Sequence, residues 1–228
     1  MKVIATEACQ VLQLFFPDEF APADGVYLPS VLDAIADRYE FVSVPEGFNG
    51  DDFSKGAKFK VGHVEIGGRD IAVQQLHLYN DGVLVTAKNT EEADLAIDDF
   101  FDWIIPAFKL PAAKPRRPRK YVSTVVVEFE EGLDWALRQF GRISKVLSSA
   151  VSDAYQVPAN IQLNRISFNA DPQTVPHLFN SQFNIERRVG LPYGDNRYHS
   201  TAPLKTEIHL GCLEQLEALV AFKKTAAN

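Results

Sequence analysis

The stretch AKFKVGHVEIGGRDIAVQQLHLYNDGVLVTAK, residues 57–88, alternates apolar and polar side chains in three runs broken at Gly67-Gly68 and Asp81-Gly82. Both dipeptides tolerate the positive φ angles of tight hairpins, so the spacing predicts an antiparallel three-stranded meander. With two-residue loops, one face collects Phe59, Val61, Ala72, Leu76, Leu78, Val83, Val85 and Ala87. The other shows Lys58, Lys60, Gln75, His77, Tyr79, Leu84, Thr86 and Lys88, turning apolar only near Val64, Ile71 and Val73. The first face is expected to be core, with His63 on it as a buried, hydrogen-bonded histidine, and the second mostly wet.

Working outward, Asn89 is placed to cap a helix with Glu92 as its third residue, and Ala93, Ala96, Ile97, Phe100 and Ile104 form a stripe that would cover the apolar face. Upstream, Val31, Leu32, Ile35, Ala36 and Tyr39 recur at helical spacing over about 29–39, and the spacing also allows a helix around 3–15. Downstream, YVSTVVVEF from residue 121 reads as a strand. A long amphipathic helix follows to about 152, on Leu133, Ala136, Leu137, Phe140, Ile143, Leu147 and Ala150. Strands are expected at 160–169, 182–189 and 197–201, and a last helix at 205–223. Strands and helices mix without a regular βαβ alternation, so the fold class is α+β.

The charge is uneven. Residues 1–108 hold 7 Lys+Arg and 19 Asp+Glu, residues 109–120 six basic and no acidic residues, and residues 121–228 ten and eleven. The basic segment, KLPAAKPRRPRK, has three prolines in twelve residues, which remove backbone donors and favour extended backbone. It is expected to be a linker between an N-terminal α+β unit, 1–108, and a C-terminal mixed strand and helix unit, 121–228. The N-terminal run is interrupted by Glu7 and lacks a cleavage signal, and no window has ~18 apolar residues. Cys9 and Cys212 are too sparse for a disulfide framework. The expectation is an unprocessed, soluble, cytoplasmic protein that engages no membrane.

The densest polar stretch is FNIERRVGLPYGDNRYHSTAPLKTE, residues 183–207. His199 and Ser200 are adjacent, but successive side chains of an extended run face opposite ways, and no G-x-S-x-G elbow is present. A nucleophilic site there is disfavoured; the least implausible hydrolase would use His199, Glu186 and Arg197. Arg187, Arg188 and Arg197, with Tyr198 and His199, instead suggest a charged strand edge that binds a partner, or forks converging on an anion. No histidine pair has zincin spacing, and neither a P-loop nor a dinucleotide fingerprint occurs, so no metal or cofactor is expected. Glu91, Asp94, Asp98 and Asp102 form an acidic ridge, read as a solvated face or as an acceptor for the basic linker.

Two functions follow from this. The first is a non-enzymatic interaction or assembly subunit that engages partners through the arginine-rich hairpin, the basic linker or the half-wet sheet face, with self-association as one version, because exposed strands and an apolar helical stripe can be completed by another copy. The second is nucleic-acid or nucleotide binding through the linker residues Lys114, Arg116, Arg117, Arg119 and Lys120, the arginines of the hairpin, and the sheet face with Lys58, Lys60, His77, Tyr79 and Lys88.

Overall fold

In the computed structural model, residues 1–17, 27–45, 56–111, 118–130, 138–169, 171, 173 and 182–225 are described. Among them are four α-helices and nine strands, a mixed α+β fold, and the strand pairings with a defined register are antiparallel. The chain forms two compact units. Unit A comprises 6–124 and 203–206, and unit B comprises 1–5, 125–202 and 207–228. The sequence suggested a division at 109–120; by contacts the changeover falls at Thr124/Val125, inside strand β6 (Lys120–Glu128). Lys120 is the first residue of that strand rather than the end of a linker.

Unit A is built on β3 (Ala57–Ile66), β4 (Arg69–Tyr79), β5 (Gly82–Ala87), β2 (Cys9–Leu14) and the start of β6, hydrogen-bonded in that order. The expected helix around 3–15 is instead two strands, β1 (Lys2–Thr6) and β2. Ala8, at φ 40°, breaks the run between them, and burial along β2 alternates with period two. Apolar residues at 4, 8, 11, 12 and 15 allow helical spacing to be drawn through the run, but pairing with β5 and β6 selects the strand.

The first hairpin turns at Gly67-Gly68, where both residues have positive φ and Ile66 pairs with Arg69. The second turns one residue earlier than expected, at Asn80-Asp81, with Tyr79 opposite Gly82. That change moves the register by two and therefore leaves the faces unchanged. A real exchange of faces occurs near the first turn. Val61 (64% exposed) and Ala72 lie outside, while Val64, Ile71 and Val73 are buried. Val61 has φ 55°, and the β4–β5 register slips between Val73 and Gln75, so the side-chain alternation inverts there. His63 moves outward with it and lies half-exposed between Glu40 and Asp70, each 3.0 Å away, instead of in the core.

Helices α1 (Leu28–Arg38) and α2 (Thr90–Ala107) cover one face of this sheet. Asn89 caps α2: its Oδ1 accepts from the Glu92 backbone N at 2.7 Å, and its amide donates to the Glu92 carboxylate at 3.0 Å. Val31, Leu32 and Ile35 of α1 and Ala93, Ile97, Phe100, Phe101 and Ile104 of α2 bury against Val11, Phe59, Leu76, Val83 and Val85. Arg38 and Tyr39 tie the two helices through Asp99.

Unit B contains the end of β6, then β9 (Arg197–Ala202), β8 (Gln182–Arg187) and β7 (Arg165–Asn169) in that order, with β1 also on β6. It also holds α3 (Arg138–Tyr155) and α4 (Thr206–Thr225). Residues 131–137, where the expected long helix would begin, lie outside the described residues, and 160–164 are not strand. Its core is small: six buried residues, Val125, Val127, Phe129, Ile185, Tyr198 and Leu213, against twenty-three in unit A, among the described residues.

Candidate functional site

The arginine-rich hairpin does not gather its arginines. β8 and β9 pair with Glu186 opposite His199 and Arg187 opposite Tyr198, and the Arg188 backbone N donates to Arg197 O. Directly opposed residues share a face, so Arg187 and Tyr198 lie on one side, and Arg188, Arg197, Glu186 and His199 on the other. Arg187 is 4% exposed, stacks 5.2 Å above the Tyr198 ring and donates to Leu163 O at 3.3 Å. Arg197 donates to Glu128 at 2.8 Å, and that guanidinium holds the Glu128 carboxyl below the usual carboxylate range. A converging anion clamp of Arg187, Arg188 and Arg197 is therefore replaced by a two-sided strand pair with local partners.

The hydroxyl beside a histidine in this unit is one the sequence reading did not find. Ser200, on the buried face of β9, lies 2.8 Å from Nε2 of His209 on α4, and both are fully buried. The Ser200 hydroxyl donates to Asn184 O at 2.7 Å, so its single proton is committed and His209 Nε2–H donates to Ser200 Oγ. A nucleophilic dyad needs the opposite polarity, with the serine proton held by an unprotonated imidazole nitrogen, and access for a substrate. Burial pushes the His209 imidazole down to about 4, aided by the nearby His199 charge, so it stays neutral at physiological pH. This pair locks α4 onto β9. No local motif marks it, because strand and helix bring the two residues together only in the fold.

In unit A the acidic ridge accepts one residue of the basic segment, Arg119. Arg119 donates to Asp94 at 2.7 Å, Asp98 at 2.6 Å and Gln13 at 3.1 Å. Lys205 reaches Asp94 at 2.8 Å across the Tyr121 ring. Asp94 is only 14% exposed, a hub rather than a solvated charge. A guanidinium already holding two carboxylates has little left for a phosphate. Lys114, Arg116 and Arg117 lie outside the described residues.

Lys58, Lys60 and Lys88 are exposed beside the half-buried His77 and Tyr79. His77 Nδ1 is 3.2 Å from Tyr79 Oη, and burial together with Lys58 and Lys60 keeps the imidazole below its ordinary value. Thr86, expected to be wet, is 2% exposed.

Unit B also carries an apolar groove of about 260 Å³ lined by Phe168, Phe183, Ile185, Cys212 and Leu216. Phe168, on β7, remains 58% exposed at its rim. On α3, Ile143, Val146 and Leu147 are 55%, 68% and 47% exposed, three apolar side chains at three- and four-residue spacing. Among the described residues no three His, Cys, Asp or Glu side chains gather as a metal site, and no helix is long and apolar enough to cross a membrane. No protein-family model matches this chain, and no curated protein is similar to it in sequence.

Proposed function

We propose that the protein is an assembly subunit that pairs with a second copy of itself through unit B. The observation that carries this reading is the apolar surface that unit B leaves bare in two complementary forms. One is a ridge, Ile143, Val146 and Leu147 on α3; the other is a groove, bounded by β7, β8 and α4. Exposed apolar side chains on one helix and an apolar groove on the sheet are what the two sides of an interface present before they meet.

The occupant is argued from size and charge. The groove's 260 Å³ suits one or two aliphatic side chains of a helix ridge. Lys145 is exposed within the α3 ridge, while residues 206–217 of α4, beside the groove, hold Glu207, Glu214 and Glu217, the last paired with the Met1 ammonium, and no Lys or Arg. A ridge of one copy in the groove of the other, repeated reciprocally, gives a closed two-fold pair. β7 adds to this, since among the described residues β8 alone pairs with it, and its sequence, RISFN, has Arg165 as its one charge and no proline.

Light scattering on the purified chain is expected to give twice the 25.4 kDa chain mass at micromolar concentration. Val146→Glu and Phe168→Glu, both at exposed positions, should each return the mass to that of the monomer. A wild-type monomer at every concentration, or variants that remain dimeric, would overturn the proposal. Nucleic-acid binding through the linker and hairpin is the weaker reading, because Arg119, Arg187 and Arg197 already have protein partners.

A further inference from the structure

The sheet of unit A has a second face, opposite α1 and α2, that no described helix covers. The strand registers arrange its residues in rows. One row runs Lys58, His77, Leu84, Leu12, Lys120 across five strands. The next runs Lys60, Gln75, Thr86, Gln10, Val122. Neither row contains a carboxylate, although residues 1–108 hold 19 of them. Among the described residues, α2 carries Glu91, Glu92, Asp94, Asp98, Asp99 and Asp102, while Lys58, Lys60 and Lys120 are exposed in these rows.

Two further observations fall in the same rows. Among the described residues, His77 Nε2 and Thr86 Oγ1 are buried without a hydrogen-bond partner. Polar atoms in that state are rare in folded proteins, and a water or a ligand group satisfies them. Beside them, the Tyr79 and His77 rings stand edge to face with centroids 6.2 Å apart.

We propose that this face binds a single-stranded nucleic acid, with phosphates against Lys58, Lys60 and Lys120 and a base against the Tyr79–His77 pair. The row from β3 to β6 spans four interstrand steps, ~19 Å, enough for several consecutive phosphates of a strand lying across the sheet. Gln75 and Gln10 present amides that can both donate and accept at base edges. An acidic peptide would satisfy the lysines, but it would leave the ring pair and the amides unused. His77 is held neutral by burial and by Lys58 and Lys60, so it contributes a hydrogen bond and a ring surface rather than charge.

Fluorescence anisotropy of the full chain with a labelled single-stranded RNA of about a dozen nucleotides, a length within the site sizes of such sheets, tests this. Three neutralised phosphates on a single strand predict an affinity loss of about 20-fold between 50 and 200 mM salt. Lys58→Glu with Lys60→Glu should weaken binding more than ten-fold, whereas Lys145→Glu in unit B should not change it. Tyr79→Leu should weaken binding about ten-fold without changing the salt slope, as expected for a lost stack, and Tyr79→Phe should restore it. Absence of binding at 50 mM salt overturns the proposal. So does binding indifferent to the Lys58/Lys60 reversal. If Tyr79→Leu binds RNA as wild type does, or an acidic peptide competes as well as unlabelled RNA, the face is a general polyanion surface and the proposal also fails.

Discussion

Lowering the pH from 7 to 5 should destabilise unit B through His209. In the unfolded chain a histidine takes up its proton near its ordinary value of 6.5, but the folded His209 stays neutral down to about 4. Between those values the unfolded state binds more protons, so stability is fully present above 6.5 and is lost as pH falls towards 4. The full displacement corresponds to ~3 kcal/mol at ~1.4 kcal/mol per pH unit, and ~2 kcal/mol of it falls between pH 6.5 and 5. Glu128 has the same sign but loses its contribution only below its ordinary value of 4.5, outside that window. His63 has the opposite sign: the hydrogen bonds its ring donates to Asp70 and Glu40 raise its value, so its contribution is present below 6.5 and lost as pH rises through the folded value. Comparing wild type with His209→Gln cancels His63, since both proteins retain it, and glutamine can still hydrogen-bond Ser200. Urea unfolding at pH 7, 6 and 5 should show the wild-type advantage shrinking by ~2 kcal/mol. A difference that stays constant, or a His209 ring resonance that titrates near 6.5, would refute the buried neutral imidazole.

Other residues give independent outcomes. Asp94→Ala removes the carboxylate shared by Arg119, Lys205 and Tyr121 and should cost about 2 kcal/mol in thermal or urea unfolding, whereas Asp98→Ala, at a 46% exposed position, should cost less than about 1 kcal/mol. Gly62→Ala places a Cβ 2.5 Å from the Tyr39 carbonyl and the Phe41 ring, so it should be far more destabilising than Gly67→Ala, which meets open space and costs only the ~1–2 kcal/mol of a left-handed alanine. Cys212 lines the proposed interface, so its thiol should react with a disulfide reagent more slowly in wild type than in Val146→Glu. Equal rates would separate that groove from self-association.

What the sequence disclosed was what local pattern controls. The Gly67-Gly68 turn, the Asn89 cap and the buried stripe of α2 follow from periodicity and turn chemistry, and each is present. The N-terminal run misled because its apolar residues can be counted at helical or at strand spacing, and the place between β5 and β6 decides between them. The inversion at Val61 escaped because a positive φ at a β-branched residue has no sequence signature. Of the site residues, the pairing of Arg119 with the acidic ridge was foreseeable from charge spacing. Ser200 and His209 were not, since neither residue type nor spacing indicates that α4 packs its histidine under β9. The three hairpin arginines separated for a reason the sequence did contain, since adjacent strand residues face opposite ways; what it lacked was the partner each would find.

The central claim is that unit B is half of an interface. Its most direct test is the concentration-dependent mass of the full chain by light scattering, measured beside Val146→Glu under identical conditions. A wild-type particle of twice 25.4 kDa that dissociates on dilution is expected, with the variant at 25.4 kDa throughout, since losing a valine that the pair would bury shifts the dissociation constant by at least about ten-fold. A wild-type chain that stays at 25.4 kDa at high micromolar concentration would contradict it.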